Sequence, residues 1–192
     1  MLTRILIKIL GGVWSVKHKY TGADKKIFKK LYRLLYYEFL KQRGSWISLA
    51  ATLKGEPCFP HGICGVFISG AAVLGKNCLI FQQVSIGSNT LCDSGGSGAP
   101  WIGDNCYIGA GAKIIGNIRI GNNTRVGANA FVYQDVSENS VITCATPRII
   151  HIRRALDNKF YHKNGGDWEF FDDGEWIKLK RGKGTFSPGA PL

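Results

Sequence analysis

The sequence predicts a mainly β fold: a parallel β-helix of hexapeptide repeats, preceded by a basic α-helical arm and followed by a C-terminal hairpin and tail. Three observations carry this. Aliphatic residues recur at Ile68, Leu74, Ile80 and Ile86 and again at Ile102, Ile108, Ile114, Ile120, Val126 and Val132, six apart except across one gap. Four residues after each comes something small or β-branched: Ala72, Cys78, Val84, Thr90, Cys106, Ala112, Ile118, Thr124, Ala130 and Val136. Glycine often follows the aliphatic residue directly, as at Gly75, Gly87, Gly103, Gly109, Gly121 and Gly127. Neither a helix nor a strand repeats at six. A triangular coil does, with one hexad per face and each hexad stacked on the third one along, the aliphatic residue inside and glycine at the turn.

In chain order, residues 1–20 alternate apolar with single basic positions and read as an interfacial amphipathic helix or a packing arm. The stretch TGADKKIFKKLYRLLYYEFLKQRG reads as one helix. Thr21 with Asp24 would form its capping box, Ile27, Leu31, Leu34, Leu35 and Phe39 its apolar stripe, and Gly44 its C-terminal cap. Lys26, Lys29, Lys30 and Arg33 fall on the other faces as a solvated surface. The arm thus covers 1–45 and the β-helix 46–147, with weaker hexads at Ile47, Leu53 and Phe59 forming an imperfect first coil. The gap from Ile86 to Ile102 holds SNTLCDSGGSGAP, too polar to stack, and reads as a projecting loop over 88–101. Pro147 marks the exit into an extension over 148–192. There GDWEFFDDGEWIKLKR reads as a hairpin turned near Asp173-Gly174, with Trp168, Phe170, Trp176 and Leu179 expected to cap the end of the prism.

Charge is distributed unevenly. Residues 1–55 carry 12 Lys and Arg against 2 acids, 56–147 carry 4 against 5, and 148–192 carry 9 against 6. The arm is therefore the part suited to an anionic surface, and the expected partner is a membrane contacted peripherally; no nucleic-acid motif accompanies the charge. No uncharged apolar run approaches the roughly 18 residues of a spanning helix, and Lys8 breaks ILIKILGGVW as a secretory signal. The expected location is the cytoplasm, membrane-associated through the arm, with the 6 cysteines as reduced thiols.

The stretch CFPHGIC, Cys58 to Cys64, holds the histidine that lies within the Gly-rich middle of the chain. A structural zinc site would need four ligands, and no neighbouring Cys or His supplies a fourth to Cys58, His61 and Cys64. Cys78 and Cys106 occupy inward corner positions, where a thiol is a compact hydrophobe.

The ordered run FPHG…VFIS…AVLGKNCLIFQQVSIGSNT…IGDNCYIGAGAKIIGNIRIGNNTRVGANAFV, followed by PRII, resembles the hexapeptide-repeat acyltransferases, in the branch similar to serine acetyltransferases. The likeness covers about 46–150. It implies a left-handed parallel β-helix and acetyl transfer from acetyl-CoA to a hydroxyl, without a metal. It also implies a homotrimer or a dimer of trimers, with active sites between adjacent prisms. By the same resemblance His61 stands where the family's general base does. The family orients that imidazole with a carboxylate, but here Pro60 precedes His61 and the upstream acid position falls near Ser48. Glu56 is the acid left to serve as partner, unless it is a surface carboxylate and a backbone carbonyl holds the ring. Backbone groups of Gly109-Ala110 and Gly127-Ala128 match the steps that line the pantetheine arm. Gly87 and Ser88 would stand near the thioester, and Arg148 in PRII near the CoA phosphates. Lys113 and Arg125 are secondary candidates for those phosphates, with solvated surface the stronger reading. The γ-class carbonic anhydrases share the fold but need three metal-binding histidines, which the repeats lack.

Serine acetyltransferases hold their amino acid with an acid before the catalytic histidine and an Arg-His pair in the projecting loop. This chain has Pro60 and Gly98-Ala99 there. A sugar hydroxyl, of a cell-surface polysaccharide or its precursor, could instead use Gln82, Gln83, Asn89 and Ser94. The expected acceptor is therefore a sugar, with L-serine the alternative. A non-catalytic β-helix scaffold with a basic membrane-binding arm is the alternative of a different class.

Overall fold

The computed structural model describes residues 2–91, 93, 95–144, 161–172 and 174–179. The chain divides into two compact units, Met1–Thr146 and Pro147–Leu192. Of the residues singled out above, Ser94, Pro147, Arg148 and Asp173 lie outside the described ones.

Three helices open the first unit: α1 (Leu2–Ile9), α2 (Val13–Thr21) and α3 (Lys26–Lys41). Short strands then wind a prism. The first coil carries β1 (Trp46–Ile47) and β2 (Thr52–Leu53), and the second β3 (Phe67–Ile68), β4 (Val73–Leu74) and β5 (Leu79–Ile80). The third carries β6 (Ser85–Gly87), β7 (Trp101–Ile102) and β8 (Tyr107–Ile108), and the fourth β9 (Lys113–Ile115), β10 (Arg119–Ile120) and β11 (Arg125–Val126). The last carries β12 (Phe131–Val132) and β13 (Val141–Ile142). Face A stacks β1-β3-β6-β9-β12, face B β2-β4-β7-β10 and face C β5-β8-β11-β13, all in parallel. The register sets Ile68 on Ile86, Leu74 on Ile102 and Ile80 on Ile108, so the repeat's aliphatic residues form one dry column. Each such side chain contributes about 1.5–3 kcal/mol by leaving water.

Three departures from the beat of six matter. From Cys58, which bridges to Leu79 on face C, to Phe67 on face A is nine residues, where Leu79 to Ser85, Tyr107 to Lys113 and Arg125 to Phe131 each take six. Three extra residues therefore project at the C–A corner, and His61 is among them. The long gap projects at the A–B corner between β6 and β7, where Asn89 and Gly98 exchange backbone hydrogen bonds of 2.8 and 2.9 Å. In the last coil Val136 pairs with Ile120 on face B, so it fills an aliphatic position rather than the small one expected of it, because this turn is two residues short. Thr90, also expected at a small inward position, is exposed in the projecting loop.

The B–C corner is built by Asn77, Asn105, Asn123 and Asn139, all left-handed at φ 54–58°, a conformation asparagine tolerates. Their amides form a ladder, each Nδ2 donating to the next Oδ1 at 3.1, 3.3 and 3.1 Å. Inside, the Cys78 thiol donates to Gly103 O at 3.4 Å. The adjoining Cys106 thiol and burial push the Cys78 thiol far above its usual range, which keeps it unreactive.

Adjacent coils exchange amide and carbonyl bonds in both directions, as Trp46 N donates to Val66 O and Ile80 N to Cys58 O. Two first-coil carbonyls, Leu49 O and Ala51 O, are met by the arm instead. Lys17, buried on α2, donates through Nζ to Leu49 O at 2.6 Å and Ala51 O at 3.1 Å. Trp14 stacks on Phe59 at 5.9 Å. Of the two readings of the arm, packing is what α2 does. Lys17→Ala strands two carbonyls and should cost about 2 kcal/mol, lowering the melting temperature by roughly 4–8 °C. Burial holds the Lys17 ammonium below its ordinary value of 10.5. The unfolded chain thus binds this proton more tightly, and Lys17's part of stability rises as pH climbs through the folded value toward 10.5. Melts of wild type and variant across alkaline pH check both statements.

The predicted single helix is interrupted. The Thr21 hydroxyl donates back to His18 O at 2.8 Å as the end of α2, and Lys25 at the N-cap of α3 makes no side-chain cap. No capping box forms, because α2 runs on through Thr21 and stops only at Gly22. The core-facing row of α3 is Leu35, Tyr36 and Leu40 with Tyr32 and Phe39 beside it. Ile27, Leu31 and Leu34, expected in the apolar stripe, face outward, because two tyrosines and Leu40 form a second apolar row that packs on the first coil. Gly44, at φ +60°, ends the helical segment as expected.

The second unit holds an antiparallel sheet of β14 (Tyr161–Asn164), β15 (Asp167–Asp172) and β16 (Glu175–Lys178). The expected hairpin is its second half; a strand turned at Gly165-Gly166 precedes it.

Candidate active site

His61 rides on the three-residue projection at the C–A corner. Phe59 O accepts from Gly62 N at 2.9 Å, Gly62 takes φ +74°, and Cys64 O is tied to the coil below through Gln83 N at 2.9 Å. The corner thus presents the imidazole outward, while Ile63 and Val66 on either side of Cys64 return to the interior. Cys64 donates its thiol to His61 O at 3.8 Å; the two cysteines of the motif do not converge on the ring.

The ring's partner is Gln82. His61 Nδ1 lies 2.8 Å from Gln82 Oε1. An amide oxygen only accepts, so Nδ1 carries the proton and Nε2 keeps its lone pair. Phe81 meets the imidazole edge to face at 5.3 Å and itself packs on Tyr107 at 5.1 Å. Glu56 sits at the B–C corner before face C, exposed, and among the described residues no carboxylate hydrogen-bonds the ring. Gln82, read from sequence as an acceptor-binding residue, is thus the group that fixes the tautomer. Gln83 beside it takes φ +62° and offers its carbonyl to Lys113 Nζ at 2.7 Å.

Below His61 the same corner descends as a column. Gln82 O accepts from Gly111 N at 2.9 Å, Ala110 O from Asn129 N at 2.8 Å, and Ala128 O from the Cys144 thiol at 2.9 Å. Gly109-Ala110 and Gly127-Ala128 form successive steps of this column, with Ala110 half-buried and Ala128 exposed. A Cβ on Gly109 would stand 2.6 Å from Ala128 N. The structure therefore brings His61, Gln82, Gln83 and both Gly-Ala steps to one corner. It sets Gly87, Ser88 and Asn89 at the next corner, A–B. There Gly87 O accepts from Gly116 N at 3.0 Å, and the Ser88 hydroxyl is bonded to Ser69.

Sequence reading missed Phe81, Tyr107 and the role of Gln82. One signal could have found the last: a coil of three hexads lengthened by the three-residue projection places position 82 directly under 61, and the observed separation is 21.

The pattern described as "Bacterial transferase hexapeptide (six repeats)" matches residues 99–134. The chain is 42% identical over 135 residues to a serine acetyltransferase of Staphylococcus aureus, covering 69% of this chain and 61% of that protein. It is 36% identical over 158 residues to one of Staphylococcus epidermidis, covering 81% and 71%. Among solved structures it is similar to the serine acetyltransferase of Neisseria gonorrhoeae in complex with serine, with a TM-score of 0.56 and 31% identity over 69% of this chain and 52% of that one. The chain spans 36% and 61% of the length of the first two curated relatives it matches. With a left-handed β-helix, N-terminal helices and this degree of identity over most of its length, the chain belongs to the hexapeptide-repeat acyltransferases, in the serine-acetyltransferase-like branch.

Proposed function

We propose that the chain transfers the acetyl group of acetyl-CoA to a hydroxyl, with His61 as general base. The observation that carries this is the His61 Nδ1 to Gln82 Oε1 bond of 2.8 Å, which leaves Nε2 free at an exposed corner. Nε2 takes the acceptor's proton as its oxygen attacks the thioester carbonyl. The tetrahedral oxyanion then expels the CoA thiolate, and the imidazolium returns the proton to that sulfur. The products are an acetyl ester and CoA thiol. The small steps Gly109-Ala110 and Gly127-Ala128 would line the pantetheine arm, leaving the corner open to an extended ligand. Gly87 and Ser88, at the other corner of the same prism, would reach it from a neighbouring copy, which supports a homotrimer whose clefts lie between chains.

The relatives support L-serine as the acceptor better than the sugar expected from sequence. The similar proteins of both staphylococci are serine acetyltransferases, and one similar structure holds serine. One observation favours the sugar as a second reading: the two residues next to the ring, Gln82 bonded to it and Pro60 before it, are neutral where a zwitterion would want charge. CoA release from acetyl-CoA, measured with L-serine and with nucleotide sugars, decides between them. Saturable turnover of serine with sugars inert is the expected result; the reverse transfers the acceptor to the sugar, and no release with either sinks the acyl-transfer reading.

A further inference from the structure

We infer that the outward face of α3 docks on an anionic lipid bilayer. This inference stands independently of the acyl-transfer reading. Ile27 and Leu34 are 72% and 61% exposed, and with Leu31 they run down the helix on the side opposite the core row of Tyr36 and Leu40. An apolar row of this kind on a helix already packed by its other face has nothing left to bury itself against within the described residues.

What flanks the row selects the partner. Lys26, Lys29, Lys30 and Arg33, with Tyr20 of α2, line a hollow of about 250 Å³. Among the described residues none of these four cations is in an ion pair with a carboxylate. Lys29 Nζ lies 5.5 Å from the Tyr20 ring centre. Lys30 and Arg33 also border a second groove of about 540 Å³, whose apolar wall includes Leu34, Tyr37, Trp46 and Phe67. A cationic hollow opening beside an apolar groove matches an amphiphile with a negatively charged head. α1 repeats the composition, exposing Ile5 and Ile9 next to Arg4 and Lys8.

A second copy of the chain fits less well. Residues 1–55 carry 12 basic groups against 2 acids, so the same face on two copies brings like charges together. The single acid on α3, Glu38, lines the apolar groove and accepts from Gln42 Nε2 at 3.2 Å. No helix among the described residues is long and apolar enough to cross a membrane, so the contact is peripheral.

The test uses the full chain and vesicle co-sedimentation, comparing phosphatidylcholine alone with phosphatidylcholine containing phosphatidylglycerol. Binding is expected only to the anionic vesicles and should be reversed by high salt. Replacing Lys26, Lys29, Lys30 and Arg33 together with glutamine should weaken it by at least about a hundredfold, since each basic group near an anionic surface contributes about fivefold. Leu34→Asp should weaken it as well, because the apolar row is then barred from the boundary. All these positions are exposed, and a circular-dichroism melt confirms that the variants fold. Equal binding to neutral vesicles, wild-type affinity in the quadruple variant, or capture by RNA without capture by anionic vesicles would each overturn the inference.

Discussion

Replacing His61 with alanine should lower kcat for acetyl transfer by about 10²–10⁴-fold, the usual worth of a positioned general base, and leave the thermal melt where it is. The second half follows from placement. His61 is exposed on a projection, and its polar partner is the half-buried Gln82. Surface changes of this kind stay within about 0.5 kcal/mol. A catalytically silent scaffold predicts no loss in CoA release at all, so steady-state kinetics alongside a melt separate the two.

Gln82 adds a readout that a structural role would not give. Leucine at 82 leaves Nδ1 without an acceptor, and kcat should fall by roughly tenfold as the reactive tautomer loses its preference. Glutamate at 82 keeps the acceptor but adds a charge that favours the imidazolium, so the free base appears only at higher pH. The acidic limb of the kcat/KM profile should move up in the Glu variant relative to wild type. An unmoved limb would mean that Gln82 does not hold the ring in solution.

How far the sequence revealed this site depended on which constraint each residue obeys. The prism was plain because its interior admits one aliphatic residue per face, so Ile68 to Val132 repeat at a fixed beat and all are buried. The position of His61 was plain as a motif, but not the identity of its partner. Gln82 comes under it through stacking across 21 residues, a relation that becomes visible only when the three extra residues after Cys58 are counted into the coil. Helix α3 failed for a different reason. It carries two apolar rows at helical spacing, Ile27-Leu31-Leu34 and Tyr32-Leu35-Tyr36-Phe39-Leu40, and periodicity cannot say which of two rows meets the core. The wider, aromatic one does, packing on the first coil beside β1. The Asn ladder was also invisible, because a left-handed corner can be made by Gly, Asn or Gln, and this chain uses all three.

Valine in place of Gly109 should be the most damaging of the changes at the C–A corner. The added Cβ would stand 2.6 Å from Ala128 N, 2.9 Å from Gly127 C and 3.0 Å from Ala128 Cα. All three atoms are backbone of the next coil, held to this one by Gly109 N donating to Val126 O at 2.8 Å. Nothing there can swing aside, so the coils must part, at about 3 kcal/mol or more, and the melting temperature should fall by roughly 6–12 °C. Gly95→Ala is the matched control, since its Cβ meets nothing within 4 Å, and its melt should not move. Ala128→Leu then separates the two roles a small residue can have on this column. Ala128 is exposed, so leucine there leaves the stacking of coils alone while filling the track proposed for pantetheine. The expected outcome is a raised KM for acetyl-CoA with an unchanged melt. If KM does not move while Gly109→Val still unfolds early, the glycines serve the coil alone and the donor lies elsewhere. If Gly109→Val melts like wild type, the close approach of the two coils is wrong.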